Sequence, residues 1–334
     1  MSDALLHALA EALADVVVSI DTCDDRELDP DTAVAWLEGT GAVLDRLPPA
    51  DRRALARLLR AAAGRRPPGR ERQALLRVPD GLGLDDDQHE LYCDAVEDLV
   101  GSLVRLARDA DPATPVPARP GWTLADVVRH HGTTHRWVAH TVRIRAAERV
   151  WAHEVPADLP DDPAAYPDWL ARSADAALSV LRKADPDTPM WSQGADQRIA
   201  HYPRRLLFEA LVHLCDAQAA LGEEPHIGPA TAADGIAEFL ENLPHAPHLA
   251  QPLAALPVGS VGLTARDTGA AWTVRFGPGG LRWTACAGPA DVRVEAPAAA
   301  LLLLVYGRRR PGDPEVAVRG DRAVLDAWLA ATAP

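Results

Sequence analysis

Lysine is nearly absent from this chain of 334 residues: Lys183 stands alone, and arginine supplies the remaining basic charge. Acidic side chains outnumber basic ones, 48 to 34, for a formal net charge of -14. That balance argues against a nucleic acid or an anionic membrane as partner, because phosphate binding needs a basic face. Cysteine is scarce as well. Cys23, Cys93, Cys215 and Cys286 lie far apart with no Cys-x-x-Cys pair, which excludes a disulfide framework and a thiolate zinc site. Each cysteine reads as a small buried hydrophobe. No secretory signal pattern and no run long enough to span a bilayer is found, so a cytoplasmic location is expected. What remains, 48% hydrophobic and 25% charged, is the composition of an ordinary globular protein of two or three domains. The preference for Arg, Ala and Pro fits a GC-rich genome.

Three segments are distinguishable. Helical spacing over residues 3–20, 31–47 and 51–63, the last behind Pro48-Pro49, predicts a small helical unit within residues 1–84. Breaks fall at residues 64–70 and at Asp85-Asp86-Asp87. Residues 85–226 then carry four expected helices. They cover 88–108, 123–150 behind a Thr123/Asp126 cap, 168–184, and a last one with Pro203 in its first turn and Gly222 past its end. Four consecutive helices suggest a four-helix bundle, a frequent host for metal sites. From residue 227 the texture changes to a helix at 231–243 and strands at 261–266, 272–276, 281–285, 291–295 and 315–318. Hairpin turns punctuate them at Asp267-Thr268-Gly269 and Gly277-Pro278-Gly279-Gly280, with an apolar helix at 298–306 and a final one opened by Asp321. The predicted fold class is therefore α+β multidomain: a helical unit (1–84), a bundle (85–226) and a small α+β domain (227–334).

The chemistry concentrates in Phe208-Glu209-Ala210-Leu211-Val212-His213-Leu214-Cys215-Asp216. Most other side chains from Leu206 to Leu221 are apolar, so this helix should be buried on most sides, and its polar groups need partners. Glu209 and His213, four residues apart, lie one turn above each other and can grip one ion together. A catalytic zinc takes three protein ligands and keeps one open position. The histidine-rich helix 123–150 is the obvious donor of the third, and spacing leaves the donor open. His131 and His135 continue the stripe Leu124, Val128, Val138, Val142, whereas His130 continues Val127 on the neighbouring stripe.

Plainer readings stand beside these. Glu209 could simply pair with Arg205 one turn earlier, and His213 could be a satisfied core histidine. His135, His140 and His153 read as packing or solvated residues. Cys215 points away from His213, and Trp122, Trp137 and Trp151 read as packing anchors. Arg308-Arg309-Arg310 is a solvated run on its face, although Arg308 could reach the bundle and bind a substrate carboxylate. The acidic patch Asp24-Asp25 with Glu27 and Asp29 lacks calcium-loop spacing and reads as a helix cap.

Taken together, Gly121-Trp122-Thr123-Leu124-Ala125-Asp126-Val127-Val128-Arg129-His130, Glu209-Ala210-Leu211-Val212-His213-Leu214-Cys215-Asp216, and Leu301–Arg308 followed by Val316–Gly320 and Trp328 resemble the mycothiol-dependent maleylpyruvate isomerase-like family. That family belongs to the wider DinB/YfiT-like metal bundles with a small, sterol-carrier-like C-terminal domain. The resemblance spans about residues 85–334 and leaves the first 84 outside. It implies that His130, Glu209 and His213 bind a divalent metal, zinc above all. Here His131 and Gly132 follow His130 where family members usually place an apolar residue, so His130 and His131 both remain candidates. It also implies a second-shell or thiol-positioning role for Asp216, mycothiol as the external thiol, and an actinobacterial source.

A divalent ion held by two His and one Glu keeps one positive charge and an open position, which favours an entering thiol as its reactive thiolate. The function expected is a cytoplasmic isomerase or S-transferase adding a low-molecular-weight thiol to a small electrophile, with Asp216 and Arg308 as further catalytic candidates. Two alternatives compete. One is a non-catalytic binding or regulatory protein with residues 1–84 as a partner module; the other is a metal-dependent hydrolase activating water instead of a thiol.

Overall fold

A computed structural model describes residues 3–23, 27–47, 49–67, 69–84, 88–246, 249–278 and 280–332. Pro48, Asp24 and Asp25 of the acidic patch, the Asp85–Asp87 boundary and Gly279 of the second hairpin turn lie outside the described residues. The chain forms two compact units, Met1–Leu91 and Tyr92–Pro334.

Helices α1 (Asp3–Thr22), α2 (Pro30–Leu44), α3 (Pro49–Arg65) and α4 (Arg70–Gly81) build the first unit. Asp29 caps α2 by accepting from the Thr32 backbone N–H at 3.0 Å. Val17, Val18, Leu59, Ala63, Leu75 and Val78 meet in one apolar cluster. No helix is expected over residues 70–81 from the sequence. Leu75 and Val78 carry the helical spacing there, but Pro79 sits inside the helix near its end and breaks the pattern to the eye.

The second unit contains α5 (Gln88–Asp109) from Tyr92 onward, then α6 (Leu124–Arg143), α7 (Tyr166–Leu181) and α8 (His201–Ala220), in the order the sequence predicts. At the start of α6 both halves of the capping box form. Thr123 Oγ1 accepts from the Asp126 N–H, and Asp126 accepts from the Thr123 N–H at 2.9 Å. The helix ends at Arg143, short of the expected residue 150, where Arg145 takes a left-handed φ of 49°. Gly132 allows α6 to meet α7: a Cβ there would lie 1.9 Å from the Trp169 ring. Beyond α8, Gly222 adopts a φ of 77° as the terminating glycine.

After α9 (Pro229–Asn242) and the short α10 (Ala250–Ala254), five strands form one mixed sheet. They are β1 (Gly259–Ala265), β2 (Ala271–Gly277), β3 (Gly280–Thr284), β4 (Val292–Ala296) and β5 (Ala317–Gly320), in the order β3-β2-β1-β4-β5. Only the β1–β4 pair is parallel. The chain reaches β4 from β1 by way of β2 and β3, and α11 (Ala298–Val305) lies between β4 and β5, a helix apolar on every side and buried accordingly. Helix α12 (Arg322–Thr332) closes the chain, with Trp328 fully buried. One continuous core runs from Cys93 on α5 to Trp328, so the helical region and the sheet share their interior. The chain is mostly helical with one sheet. None of its described helices is long and apolar enough to cross a membrane.

Candidate metal centre

Helix α8 is buried along most of its length, and its charged side chains each find a partner on a different element. Glu209 divides its carboxylate. Oε2 accepts from the Arg205 guanidinium one turn earlier, and Oε1 lies 2.9 Å from His130 Nε2 on α6. The helix ion pair with Arg205 and the contact with His130 thus use different oxygens of Glu209. Burial opposes a charge on Glu209, but Arg205 and then His130 outweigh it and hold the carboxyl well below the usual range.

His213 donates Nδ1–H to the Glu209 backbone carbonyl at 2.9 Å. That bond fixes the tautomer and leaves Nε2 with a bare lone pair, buried and without any hydrogen-bond partner. A buried acceptor with nothing to accept from is rare in a native fold. His130, Glu209 and His213 each offer a donor atom within 4.8 Å of the other two. Two imidazoles and one carboxylate fit a zinc-type ion with an open position. Among the described residues no other His, Cys, Asp or Glu trio comes so close.

Geometry separates the histidines that spacing leaves equivalent. With Gly132 turned against Trp169, His130 faces Glu209. His131 is fully buried, its ring edge-on to His213 with centroids 4.9 Å apart. Burial, then the neighbouring His213, His135 and His130, push its pKa well below the ordinary value and keep it neutral. His135 is also buried, donating Nδ1–H to the His131 carbonyl at 2.8 Å, whereas His153 is exposed.

Two tryptophans do more than pack. Trp122 stacks nearly parallel to His213, centroids 6.1 Å apart, and tilts over His130 at 5.4 Å. The Trp122 that precedes the capping box is the available signal for that role. Trp151 lies beyond the end of α6, is about half exposed, and sits beneath the Arg149 guanidinium at 3.8 Å. Trp137 remains a packing residue, its indole N–H bonded to the Val150 carbonyl at 2.9 Å. A cavity of about 560 Å³ opens beside the trio, lined by His130, Trp137, Trp151, Tyr202, Arg205 and Glu209 among others.

Arg205 is anchored on its far side. It donates to the buried Glu238 at 3.3 Å and to the Tyr306 hydroxyl at 3.3 Å. Asp216 and Arg308 find each other. The Arg308 Nε and NH2 groups donate to the two Asp216 oxygens at 2.9 and 2.6 Å, and NH1 donates to the Tyr306 carbonyl at 2.5 Å. Both His213 ring nitrogens are accounted for without Asp216, so no hydrogen bond joins the two. No cysteine lines the cavity. Cys93 and Cys215 are buried, and burial pushes the Cys215 thiol up to about 12. Cys286 is exposed and Cys23 half-buried, which corrects the reading of all four as core.

Residues 93–218 match the family model for the mycothiol maleylpyruvate isomerase N-terminal domain, and residues 230–327 match that for its C-terminal domain. The chain belongs to this family. The family is enzymatic, and its two domains meet here within one compact unit. Two solved structures of the mycothiol-dependent maleylpyruvate isomerase, one a point variant, are 14% and 15% identical to the chain. Each match covers 69% of this chain and 92% of that one, with TM-scores of 0.49 and 0.46. A stereoselective inverting sec-alkylsulfatase from Pseudomonas sp. is 14% identical over 91% of this chain and 44% of its own, with a TM-score of 0.27. A search of curated proteins finds no match.

Proposed function

We propose that this isomerase-family chain is a divalent-metal enzyme that uses mycothiol as an external thiol on a small electrophilic substrate, with His130, Glu209 and His213 as the metal ligands. The observation that carries the reading is the buried, unpartnered His213 Nε2 beside a carboxylate and a second imidazole. When bound, a zinc-type ion there supplies the positive charge that makes a thiolate favoured over its thiol near neutral pH.

The chain's own residues prepare that site. Arg205 holds Glu209 Oε2, so that only Oε1 is presented. The Glu209 carbonyl accepts from His213 Nδ1–H and so orients the ring, as acceptors behind metal-bound imidazoles do. Trp122 stacks on the His213 ring and tilts over that of His130, which limits how both rings can turn. An apolar wall of Trp137, Val138 and Leu206 gives the electrophile a low-dielectric bed. In this reading Asp216 and Arg308 are positioning residues. Their pairing joins α8 to the segment after α11, and the Arg308 fork is already filled by a protein carboxylate.

Protein purified without chelator is expected to carry close to one zinc per chain, measured by inductively coupled plasma mass spectrometry, and His213→Ala to lose it. Turnover of a cis-configured electrophile should require added mycothiol. Wild-type protein free of any divalent ion would sink the ligand assignment, and full turnover without thiol would replace the thiol reading with the hydrolytic one.

A further inference from the structure

A second cavity, of about 460 Å³, adjoins the first, and Arg149, Trp191, Gln193 and Arg205 line both. Beyond that shared waist its walls differ in kind from those beside the trio. Among the described residues no carboxylate lines it. One of its two guanidinium groups, Arg205, is neutralised by Glu209 and Glu238, and the other, Arg149, is stacked on Trp151. Neutral hydrogen-bonding groups stand among aromatic faces, those of Trp191, Phe239 and Tyr306.

One wall is firmly built. In the loop before α8, Gln197 donates to the Gly194 carbonyl at 2.7 Å and Ser192 to the Asp196 carbonyl at 2.6 Å, while the Ala195 N–H donates to Asn242 on α9 at 3.0 Å. Gly194 lies so close that a Cβ would come within 2.4 Å of the His201 ring. His201 lines the cavity, is 6% exposed, and has a buried Nε2 with no partner. Burial, then Arg205, push its pKa to about 4, so the ring is neutral at physiological pH. The Tyr306 oxygen accepts from Arg205 and keeps its own proton available to donate.

Neutral donors and acceptors interleaved with aromatic faces suit an uncharged, hydroxyl-rich ring, and the second guanidinium, Arg149, belongs to the shared waist and lies over Trp151. We propose that this second cavity binds the uncharged polyol part of the thiol, with His201 Nε2 as a waiting hydrogen-bond partner, while the waist admits the thiol arm to the first cavity. The inference rests on the thiol reading above. It fits mycothiol chemically, because that thiol hangs from an acylated amino sugar joined to inositol.

The probe is the sulfur-free N-acetylglucosaminyl inositol, titrated calorimetrically into the zinc-loaded protein. Saturable binding is expected for the wild type, with at least a tenfold loss in His201→Phe and in Ala246→Phe, which fills the cavity from a half-buried position. In parallel, the ratio of kcat/KM for mycothiol to that for N-acetylcysteine should fall at least tenfold in each variant. Thermal melts confirm that the variants fold, and Ala246→Phe decides the matter if His201→Phe does not. No binding to wild type, equal binding to folded variants, or an unchanged ratio would overturn the subsite. If no thiol supports turnover but fragment binding is lost in the variants, the subsite stands and the thiol reading falls.

Discussion

Splitting the Asp216–Arg308 pair should be among the most damaging conservative changes in the molecule. The Asp216 side chain is fully buried and that of Arg308 is 9% exposed, with two parallel hydrogen bonds of 2.9 and 2.6 Å between them. Asp216→Asn keeps the shape but turns an acceptor into a donor facing a guanidinium, and it leaves that charge without its counterion. Arg308→Met does the reverse, stranding a carboxylate that has no access to water. Removing one partner of a buried pair costs about 3–5 kcal/mol, most of it for the orphaned charge. For a unit of this size that corresponds to a fall in Tm of about 6–20 °C. The double variant carries neither charge, so it should be more stable than the sum of the single losses implies, with a coupling of about 2–4 kcal/mol. Urea unfolding followed by tryptophan fluorescence measures all four corners of the cycle. Single variants within 1 kcal/mol of wild type, or strictly additive losses, would show that the pair is solvated and would free Arg308 for a substrate carboxylate.

Gly132→Ala should cost about 1–3 kcal/mol in the same assay, because its Cβ would fall 1.9 Å from the Trp169 ring; Trp169→Leu in that background should restore part of the loss. Arg205→Lys, which gives up the guanidinium fork on Glu209 and Glu238, should weaken zinc binding about 10–100-fold in a competitive chelator titration. Stability should also depend on pH through buried His135, whose pKa burial lowers to about 4. The unfolded chain binds the extra proton between about 6.5 and 4, so the stability present above that window is lost as the pH falls through it, by at most about 1.4 kcal/mol per pH unit for this group. His135→Phe should flatten that part of the profile by about one proton, and an unchanged slope would place the histidine in contact with solvent.

Local chemistry was readable from the sequence wherever one segment contained all of it. Thr123 and Asp126 close the capping box that their spacing announces, and Gly222 ends α8 where a terminating glycine should stand. Strand alternation and turn residues likewise placed the sheet, since β1 to β3 are joined by short hairpins. Contacts that depend on how helices roll against one another were not readable. That His130 and not His131 lies against Glu209 accompanies Gly132 lying under Trp169, a contact between residues whose separation carries no periodic signal. Asp216 and Arg308 are 92 positions apart, and each looked available to a ligand until the other was placed beside it. Helix α4 escaped for a local reason, because Pro79 punctuates a helix that continues past it.

Helix α8 is pinned like a toothed rack along its length. Arg204 engages Asp234 and Glu241 on α9, Arg205 engages Glu238, Glu209 meets His130 on α6, and Asp216 meets Arg308 after α11. A rotation of one residue, or a slide of one turn, would disengage all of these teeth together. The element that carries Glu209 and His213 is therefore tied at once to α6, to α9 and to the segment after α11. The irregular segment beyond Arg143, whose Arg149, Trp151 and His153 line the cavity, contributes none of these teeth.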